Sequence, residues 1–180
     1  MRPRQPTWFI ALRTLFVATL FTAFWVGGLS YVRVFDGSLQ LPDWLPPVGL
    51  VAALAGGILC LSCVILFTVR GRGTPAPYDP PRVFVAGGPY RHCRNPMLLG
   101  FCIMLAGLAM TLQSPAAVAF AILVFVLGHL MVVAYEEPHL RKSFGQPYLD
   151  YCRRVPRWLP LAALGRGRAV GDKPSVTKGT

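Results

Sequence analysis

The sequence predicts an all-α membrane protein, and three observations support that fold class. Apolar residues make up 54% of the 180-residue chain, and the mean hydropathy is +0.50. Long runs without a charged residue occupy 15–32 and 95–135. The 18 lysines and arginines face only seven acidic residues, and they lie between and after these runs. Because a soluble domain of this size would carry more charge, lipid is the expected solvent for most side chains.

The apolar runs predict four transmembrane helices. A helix needs about 20 apolar residues to cross a hydrocarbon core of about 30 Å. A cleavable signal peptide is the alternative for the first run, but that run exceeds a typical apolar signal segment and lacks a small-x-small cleavage site. The predicted spans are at about 10–32, 45–69, 96–112 and 116–135, and the last two form a hairpin that turns at 113–115.

The remaining chain organisation follows from composition. Residues 1–160 are predicted to form one membrane domain, with motifs over 82–160 and a short cytoplasmic helix after the last span. A β-prone piece is expected at 83–85 within the loop at 70–94. Because residues 161–180 are rich in Gly, Arg, Lys, Ser and Thr, they are predicted to form a disordered basic tail.

The distribution of basic residues predicts topology and partners. Lysine and arginine concentrate at the N-terminus, in 70–94 and after 136, which favours cytoplasmic termini. The expected location is a bacterial inner membrane. Nucleic acid is excluded as a partner because the basic residues do not form one amphipathic face. Anionic lipid is the expected partner of a basic C-terminal stretch that contains Arg153, Arg154, Arg157, Arg166 and Arg168. Pro147 fits the first turn of the short cytoplasmic helix and Pro156 ends it, which leaves Arg157 free to meet either lipid phosphate or a carboxylate of the site.

The five cysteines favour neither a disulfide framework nor a metal site. Their number is odd and their spacing is irregular. Cys60 and Cys63 form a C-x-x-C within the second predicted span, where a redox or zinc role is the alternative to packing. With no histidine or strand pattern nearby, both are interpreted as small apolar packing residues, and no metal site is predicted.

Two polar clusters lie at one end of the predicted hairpin. The first occupies 88–96, before the third span, and the second is the pair Glu136 and Glu137 after the fourth. Adjacent carboxylates at a membrane boundary are costly unless they pair or bind a ligand. Arg91 and Arg94 are the expected partners. The alternative to a functional site is a salt-bridged helix end.

The motifs in and after these clusters resemble a known family. The five motifs, in order, are Gly88-Pro89-Tyr90, Arg94-Asn95-Pro96, Glu136-Glu137-x-x-Leu140, Phe144-Gly145-x-x-Tyr148-x-x-Tyr151 and Val155-Pro156-Arg157. Together they resemble the isoprenylcysteine carboxyl methyltransferases and their phospholipid methyltransferase relatives, over about 82–160.

The resemblance implies S-adenosylmethionine as the cofactor and a methyl acceptor at the cytoplasmic membrane face. No Gly-x-Gly-x-x-Gly lies between a strand and a helix, which agrees with a pocket built without a Rossmann domain. Arg94, Asn95, Glu137 and His92 are the catalytic candidates; His92 is the nearest base for an amine or thiol acceptor, or else a loop histidine. The implied cofactor contacts are Val83, Phe84, Val85, Tyr90, Asn95, Pro96, Met97, Leu98 and Glu136.

Three positions depart from the family pattern. Many relatives have His at the position of Asn95 and Tyr at that of Leu98, and the prenylcysteine enzymes have Arg at that of Val132. The predicted acceptor is therefore a membrane lipid, a prenyl-like molecule or another small amphipathic molecule, with a neutral or cationic head group. Two alternatives remain, a sterol-type reductase that uses NADPH and a non-catalytic membrane scaffold.

Two further features are interpreted as packing. Phe144, Tyr148, Tyr151 and Val155 recur every three or four residues and predict one apolar face of a short helix. His129 lies two turns before the carboxylate pair; it either lines a substrate tunnel or makes a hydrogen bond between helices.

Overall fold

A computed structural model describes residues 7–39, 41–66 and 87–158, and the described chain is helical with no strand. The all-α prediction is confirmed. The β-prone piece at 83–85 and the predicted tail at 161–180 lie outside the described residues. The helices are α1 Thr7–Val32, α2 Leu45–Leu66, α3 Pro96–Thr111, α4 Pro115–Met131, α5 Glu137–Phe144 and α6 Gln146–Arg154, with 3₁₀ turns at Arg33–Phe35 and Gly88–Arg91 and a π-helix at Val132–Glu136.

Three stretches of helix are long and apolar enough to cross a membrane: Leu15–Phe35, Leu45–Leu66 and Pro115–Phe144. The last one passes through the π-helix without a break, so the boundary predicted at 135 falls inside a continuous helix. The third predicted span is present as α3, but its 16 residues rise only about 24 Å. Four spans therefore remain a prediction, whereas the all-α membrane architecture is confirmed.

The helices α2 and α3 pack so closely that their backbones touch through glycine. A Cβ atom added to Gly49 would lie 2.6 Å from the carbonyl oxygen of Gly107 and 2.7 Å from the amide nitrogen of Thr111. Gly56 and Gly100 make the same kind of close backbone contact further along the helix pair. In lipid, where apolar side chains gain little from leaving the solvent, such close backbone approach is a main source of helix association.

Helix α1 contributes few residues to the core. Its Leu29 is fully buried against Ala109 and Ala117, whereas Trp25 packs against Phe101 and Phe120. Most of its other large apolar side chains are exposed, as expected for a helix whose solvent is lipid.

One end of the bundle, which we call the turn end, contains residues 33–39 and 41–44, between α1 and α2, and residues 112–114, between α3 and α4. The Asp36 carboxylate accepts hydrogen bonds from the Ser114 hydroxyl at 2.8 Å and from the Ala116 amide at 2.9 Å. These bonds hold the pKa of Asp36 below its ordinary value. Ser114 in turn caps α4 by accepting from the Ala117 amide at 3.0 Å. The opposite end, which carries the polar clusters, is called the site end.

The glycine contact between α2 and α3 gives a stability prediction. Gly56→Ala and Gly107→Ala should each destabilise the protein by about 1–3 kcal/mol, because the added methyl group meets the backbone of the partner helix. Gly27→Ala is the matched control, since a Cβ there meets nothing within 4 Å. Thermal unfolding in detergent measures the difference. Equal melting temperatures for all three variants would contradict the packing described.

Candidate active site

The site end is organised by the π-helix at Val132–Glu136. The backbone amide of Glu137 donates to the carbonyl of Val132, five residues earlier, and the extra residue in this turn shifts the side chains that follow. Glu137 faces the protein interior with 4% of its surface exposed, whereas Glu136 is exposed. The two adjacent carboxylates therefore lie in different surroundings.

Glu137 is the centre of an ion cluster formed with Arg94, Arg141 and Arg157. Arg157 binds both carboxylate oxygens, with Nε at 2.8 Å from Oε1 and Nη2 at 2.9 Å from Oε2. Arg94 donates from Nη1 to Oε1 at 3.0 Å, and Arg141 lies 3.8 Å from Oε2. The bond to Glu137 raises the pKa of Arg157 above its ordinary value, so this guanidinium stays charged. Bidentate pairs of this kind are the strong form of a salt bridge.

The cluster fixes residues 155–158, which we call the C-terminal segment, onto the start of α3. The Arg94 amide donates to the carbonyl of Pro156 at 2.9 Å. The carbonyl of Arg157 accepts from the Asn95 side-chain amide at 3.3 Å and from the Cys93 thiol at 3.4 Å. The backbone of Arg157 therefore joins the C-terminal segment to the residues before α3, and its side chain joins the segment to Glu137.

Helix α6 packs beneath this segment. Tyr148, Tyr151 and Val155 form a buried cluster, which confirms the packing interpretation of the aromatic stripe. Pro147 lies in the first turn of α6, and the helix ends at Arg154, before Pro156, as predicted. Gly145 joins α5 to α6 with φ at 58°, a conformation that glycine adopts readily and other residues rarely do.

Tyr90 lies between α2, α6 and the carboxylate pair. Its carbonyl accepts a 2.7 Å hydrogen bond from the Tyr151 hydroxyl. Burial raises the pKa of the Tyr90 phenol, and the neighbouring Cys63 and Glu136 raise it further. The phenol therefore stays protonated near neutral pH, and the charge of Glu136 acts on it directly.

At the start of α3, the predicted contact residues have different surroundings. Pro96 is fully buried, and the carbonyl of Met97 accepts from the Cys60 thiol at 3.3 Å. Leu98 packs against Gly128 of α4, where an added Cβ would lie 3.0 Å from the Leu98 side chain. The side chains of Pro96 and Leu98 thus contribute to helix packing, and their contact with a cofactor stays a prediction. Asn95 keeps its side-chain oxygen without a hydrogen bond inside the described ranges.

Other predicted site residues are less closely tied to the cluster. His92 is exposed, and its side chain makes no hydrogen bond within the described residues. Arg91 is also exposed and, among the residues described, pairs with no carboxylate, so Arg94 alone meets the expected pairing. The backbone at Val83, Phe84 and Val85 lies outside the described residues.

The basic residues predicted to bind anionic lipid make contacts within the protein where the structure describes them, and lipid binding stays a prediction. Arg157 turns inward to Glu137, and Arg153 pairs with Asp150 at 3.3 Å. Arg154 donates to the Asp150 carbonyl at 3.3 Å. Arg166 and Arg168 lie outside the described residues. In 7–39, 41–66 and 87–158 no group of three or more His, Cys, Asp or Glu could hold a metal ion.

His129 makes the hydrogen bond between elements that the sequence left open. Its Nδ1 accepts from the Trp158 indole at 3.2 Å, so the ring proton is assigned to Nε2. Trp158 also lies 5.3 Å from the ring of Phe125, centroid to centroid. The C-terminal segment is therefore attached to α4 by an aromatic contact as well as by the ion cluster.

Comparison with known proteins agrees with this architecture. Residues 48–147 match the family model for phospholipid methyltransferase. The chain is 30% identical over 140 residues to protein-S-isoprenylcysteine O-methyltransferase B of Arabidopsis thaliana, covering 74% of this chain and 69% of that protein. It is 30% identical over 133 residues to the protein-S-isoprenylcysteine O-methyltransferase of Rattus norvegicus, covering 72% of this chain and 46% of that one.

The chain belongs to the family of phospholipid and isoprenylcysteine methyltransferases. A solved structure of the eukaryotic intramembrane Ras methyltransferase, isoprenylcysteine carboxyl methyltransferase, has the same fold, with a TM-score of 0.54 at 21% identity. The match covers 88% of this chain and 54% of the solved one, so the chain spans about half the length of that protein and of the rat relative. The protein is an integral membrane methyltransferase, and the comparisons do not favour the reductase or the scaffold.

Sequence reasoning missed one feature of this methyltransferase, the π-helix, and left another open, the partner of Arg157. The π-helix has no sequence signal, because it depends on how the following carboxylate is held. The pairing of Arg157 with Glu137 was one of two possibilities for that arginine, and the choice depends on the path of the chain after α6. The Val155-Pro156-Arg157 motif was the available signal, since Pro156 ends the helix and leaves Arg157 free to turn back.

The ion cluster predicts that the two adjacent glutamates differ in their effect on stability. Glu137→Ala should cost about 3 kcal/mol, the lower end for a broken buried pair, because it leaves the half-buried Arg94 and Arg157 without their counter-charge. Glu136→Ala, at an exposed position, should change stability by about 0.5 kcal/mol or less. Thermal unfolding of the two purified variants measures this. Similar losses at both positions would contradict the assignment of Glu137 as the structural centre.

Proposed function

We propose that the protein transfers a methyl group from S-adenosylmethionine to an amphipathic acceptor at the cytoplasmic face of the membrane. The observation that supports this most is the meeting of the family motifs at one end of the bundle, around Tyr90, Asn95 and Glu136. Glu137 and its arginines hold that end together. The acceptor binds from the lipid side because the site lies at the end of membrane-length helices.

Three groups of the site end, Glu136, Arg94 and Tyr90, suit this cofactor. Glu136 makes no hydrogen bond or ion pair within the described residues and can accept from ribose hydroxyls or an amino group. The Nε of Arg94 is buried and likewise has no hydrogen-bond partner among the residues described, so it can donate to a carboxylate. Tyr90 offers an aromatic face to a cation. The cofactor therefore meets complementary groups for its charged and polar parts.

S-adenosylmethionine supplies a methyl group activated by a sulfonium charge. The acceptor's lone pair forms a bond to the methyl carbon as the carbon–sulfur bond breaks, and an amine or thiol acceptor also loses a proton. Alignment and the exclusion of water provide most of the catalysis of such a displacement. For a proton-losing acceptor, His92 is the nearest available base in the motif; a carboxylate acceptor needs none.

In this proposal Glu137 is a positioning residue. Both of its oxygens already accept hydrogen bonds from arginine, which leaves little capacity for a reacting group. Its role is to hold Arg94 and the start of α3 beside Tyr90 and Glu136. Asn95, whose side-chain oxygen has no partner in the described chain, is the polar group of α3 that faces the ligand.

The acceptor class follows from Val132. This position, where the prenylcysteine enzymes have arginine, is occupied by an apolar side chain with 3% of its surface exposed. A carboxylate placed near it would be buried without a counter-charge, which costs several kcal/mol. The proposed acceptor therefore carries a neutral or cationic head group on an apolar body.

Cofactor binding gives the first test of this proposal. In detergent, isothermal calorimetry should detect saturable binding of S-adenosylmethionine, and Glu136→Gln should weaken it about tenfold, as expected for the loss of a charged hydrogen-bond acceptor. Asp150→Asn is the control, because that carboxylate serves only local pairs on α6. A folded protein with no saturable binding would overturn the proposal.

The acceptor prediction is tested by a methyl-transfer screen. With radiolabelled S-adenosylmethionine, membrane lipid extracts, alkyl amines and alkyl thiols should be better acceptors than a prenylcysteine analogue with a free carboxylate. Alkali-labile label separates methyl esters from the other products. Efficient ester formation on the analogue, with none on lipids, thiols or amines, would contradict the role given to Val132 and mean that an arginine of the site binds the carboxylate.

A further inference from the structure

An apolar groove of about 270 Å³ lies between α3 and α4, within the membrane-spanning part of the protein. Ile122 on its rim has 59% of its surface exposed, so the groove opens toward lipid. The residues that line it include Leu99, Ile103 and Ala106 of α3 and Val118, Ile122 and Phe125 of α4.

The groove runs along the helix pair toward the site end. Because α3 and α4 are antiparallel and joined at 112–114, Ala106 and Val118 lie nearer the turn end. Leu99 and Phe125 lie nearer the site end, and Phe125 marks the mouth of the groove on that side. A hydrocarbon chain that extends from the site into the membrane would enter the groove at this mouth.

Trp158 packs on Phe125, the residue that lines the groove at its site end. Its ring centroid is 5.3 Å from that of Phe125 and 5.6 Å from that of His129. The hydrogen bond from its indole to His129 Nδ1 holds the ring in place, and the neighbouring Arg157 anchors the chain to Glu137. The largest side chain of the C-terminal segment is thereby fixed between the polar cluster and the groove.

The contact of Trp158 with His129 of α4 lies at a fixed distance from Glu136. Residues 129–136 rise about 10 Å along the helix at about 1.5 Å per residue, so His129 lies about that far from Glu136 toward the turn end. A short apolar body fits between the polar cluster and the indole. A longer chain that follows α4 from the polar cluster toward the groove meets the indole on Phe125 and His129.

From this geometry we infer that Trp158, held by His129, determines the chain length of the methyl acceptor by separating the polar site from the apolar groove. The inference rests on the proposed function and specifies its substrate class. Acceptors with short apolar parts are preferred, and long alkyl or prenyl chains are disfavoured while the indole occupies the mouth. Trp158 thus determines specificity for the chain length of the acceptor, and His129 positions its ring.

The test compares alkyl thiols with butyl, octyl and hexadecyl chains as acceptors in lipid nanodiscs. Trp158→Ala should raise the ratio of kcat/KM for hexadecyl over butyl thiol about tenfold or more relative to the unaltered protein, the scale expected when a pocket gains room for added methylenes. Trp44→Ala is the matched control, because this exposed tryptophan lies at the turn end. It should leave the ratio unchanged.

Two milder variants separate the ring from its hydrogen bond. Trp158→Phe keeps an aromatic ring but has no indole donor, and His129→Leu removes the acceptor. Both should raise the same ratio by less than Trp158→Ala does, since the ring is retained but no longer held. A uniform loss of activity on all chain lengths in these folded variants, with an unchanged ratio, would overturn the inference.

A binding measurement keeps this test independent of the proposed function. The methyl alkyl thioethers, which are the products of thiol methylation, should stabilise the unaltered protein against heat only when their chain is short. In Trp158→Ala the hexadecyl thioether should stabilise as well. If the unaltered protein methylates no acceptor but shows this pattern, the proposed function fails and the chain-length role of Trp158 stands; equal stabilisation by all chain lengths in both proteins overturns that role.

Discussion

The buried carboxylate of Glu137 is the constraint on which the site end depends. A charge with 4% of its surface exposed at a membrane boundary needs opposite charge and hydrogen bonds, and both come from distant parts of the chain. Arg94 precedes α3 and Arg157 follows α6, so satisfying one side chain joins two segments that are far apart in sequence. The π-helix before Glu137 turns this carboxylate inward while its neighbour Glu136 stays outward.

The rest of the bundle is stabilised separately from the site. Glycines allow α2 and α3 to touch through their backbones, and Asp36 and Ser114 connect the crossing segments at the turn end. A rigid helix pair of this kind places the start of α3 at a fixed position. The polar groups at the site end can then be arranged for a ligand without serving as the main stabilising contacts, apart from the Glu137 ion cluster.

Much of this arrangement could be predicted from the sequence, because it follows from local patterns. Runs without charge predicted the helices, the turn at 113–115 predicted the hairpin, and the cost of paired carboxylates predicted an arginine partner, which is Arg94. The packing of Leu98 on Gly128 could not be predicted, because it depends on how neighbouring helices meet. The same holds for the exclusion of Arg91 from the pair and the inward turn of Arg157.

We propose that the bond between Glu137 and Arg157 holds the site in the form that binds S-adenosylmethionine. A double-mutant cycle on S-adenosylmethionine affinity measures this, with Glu137→Gln, Arg157→Gln and the double variant compared by calorimetry in the same detergent. We expect strong coupling, so that the double variant binds about as weakly as either single one, with an interaction free energy of at least about 1 kcal/mol. Additive losses, which would mean that the two residues act on the ligand independently, would contradict it.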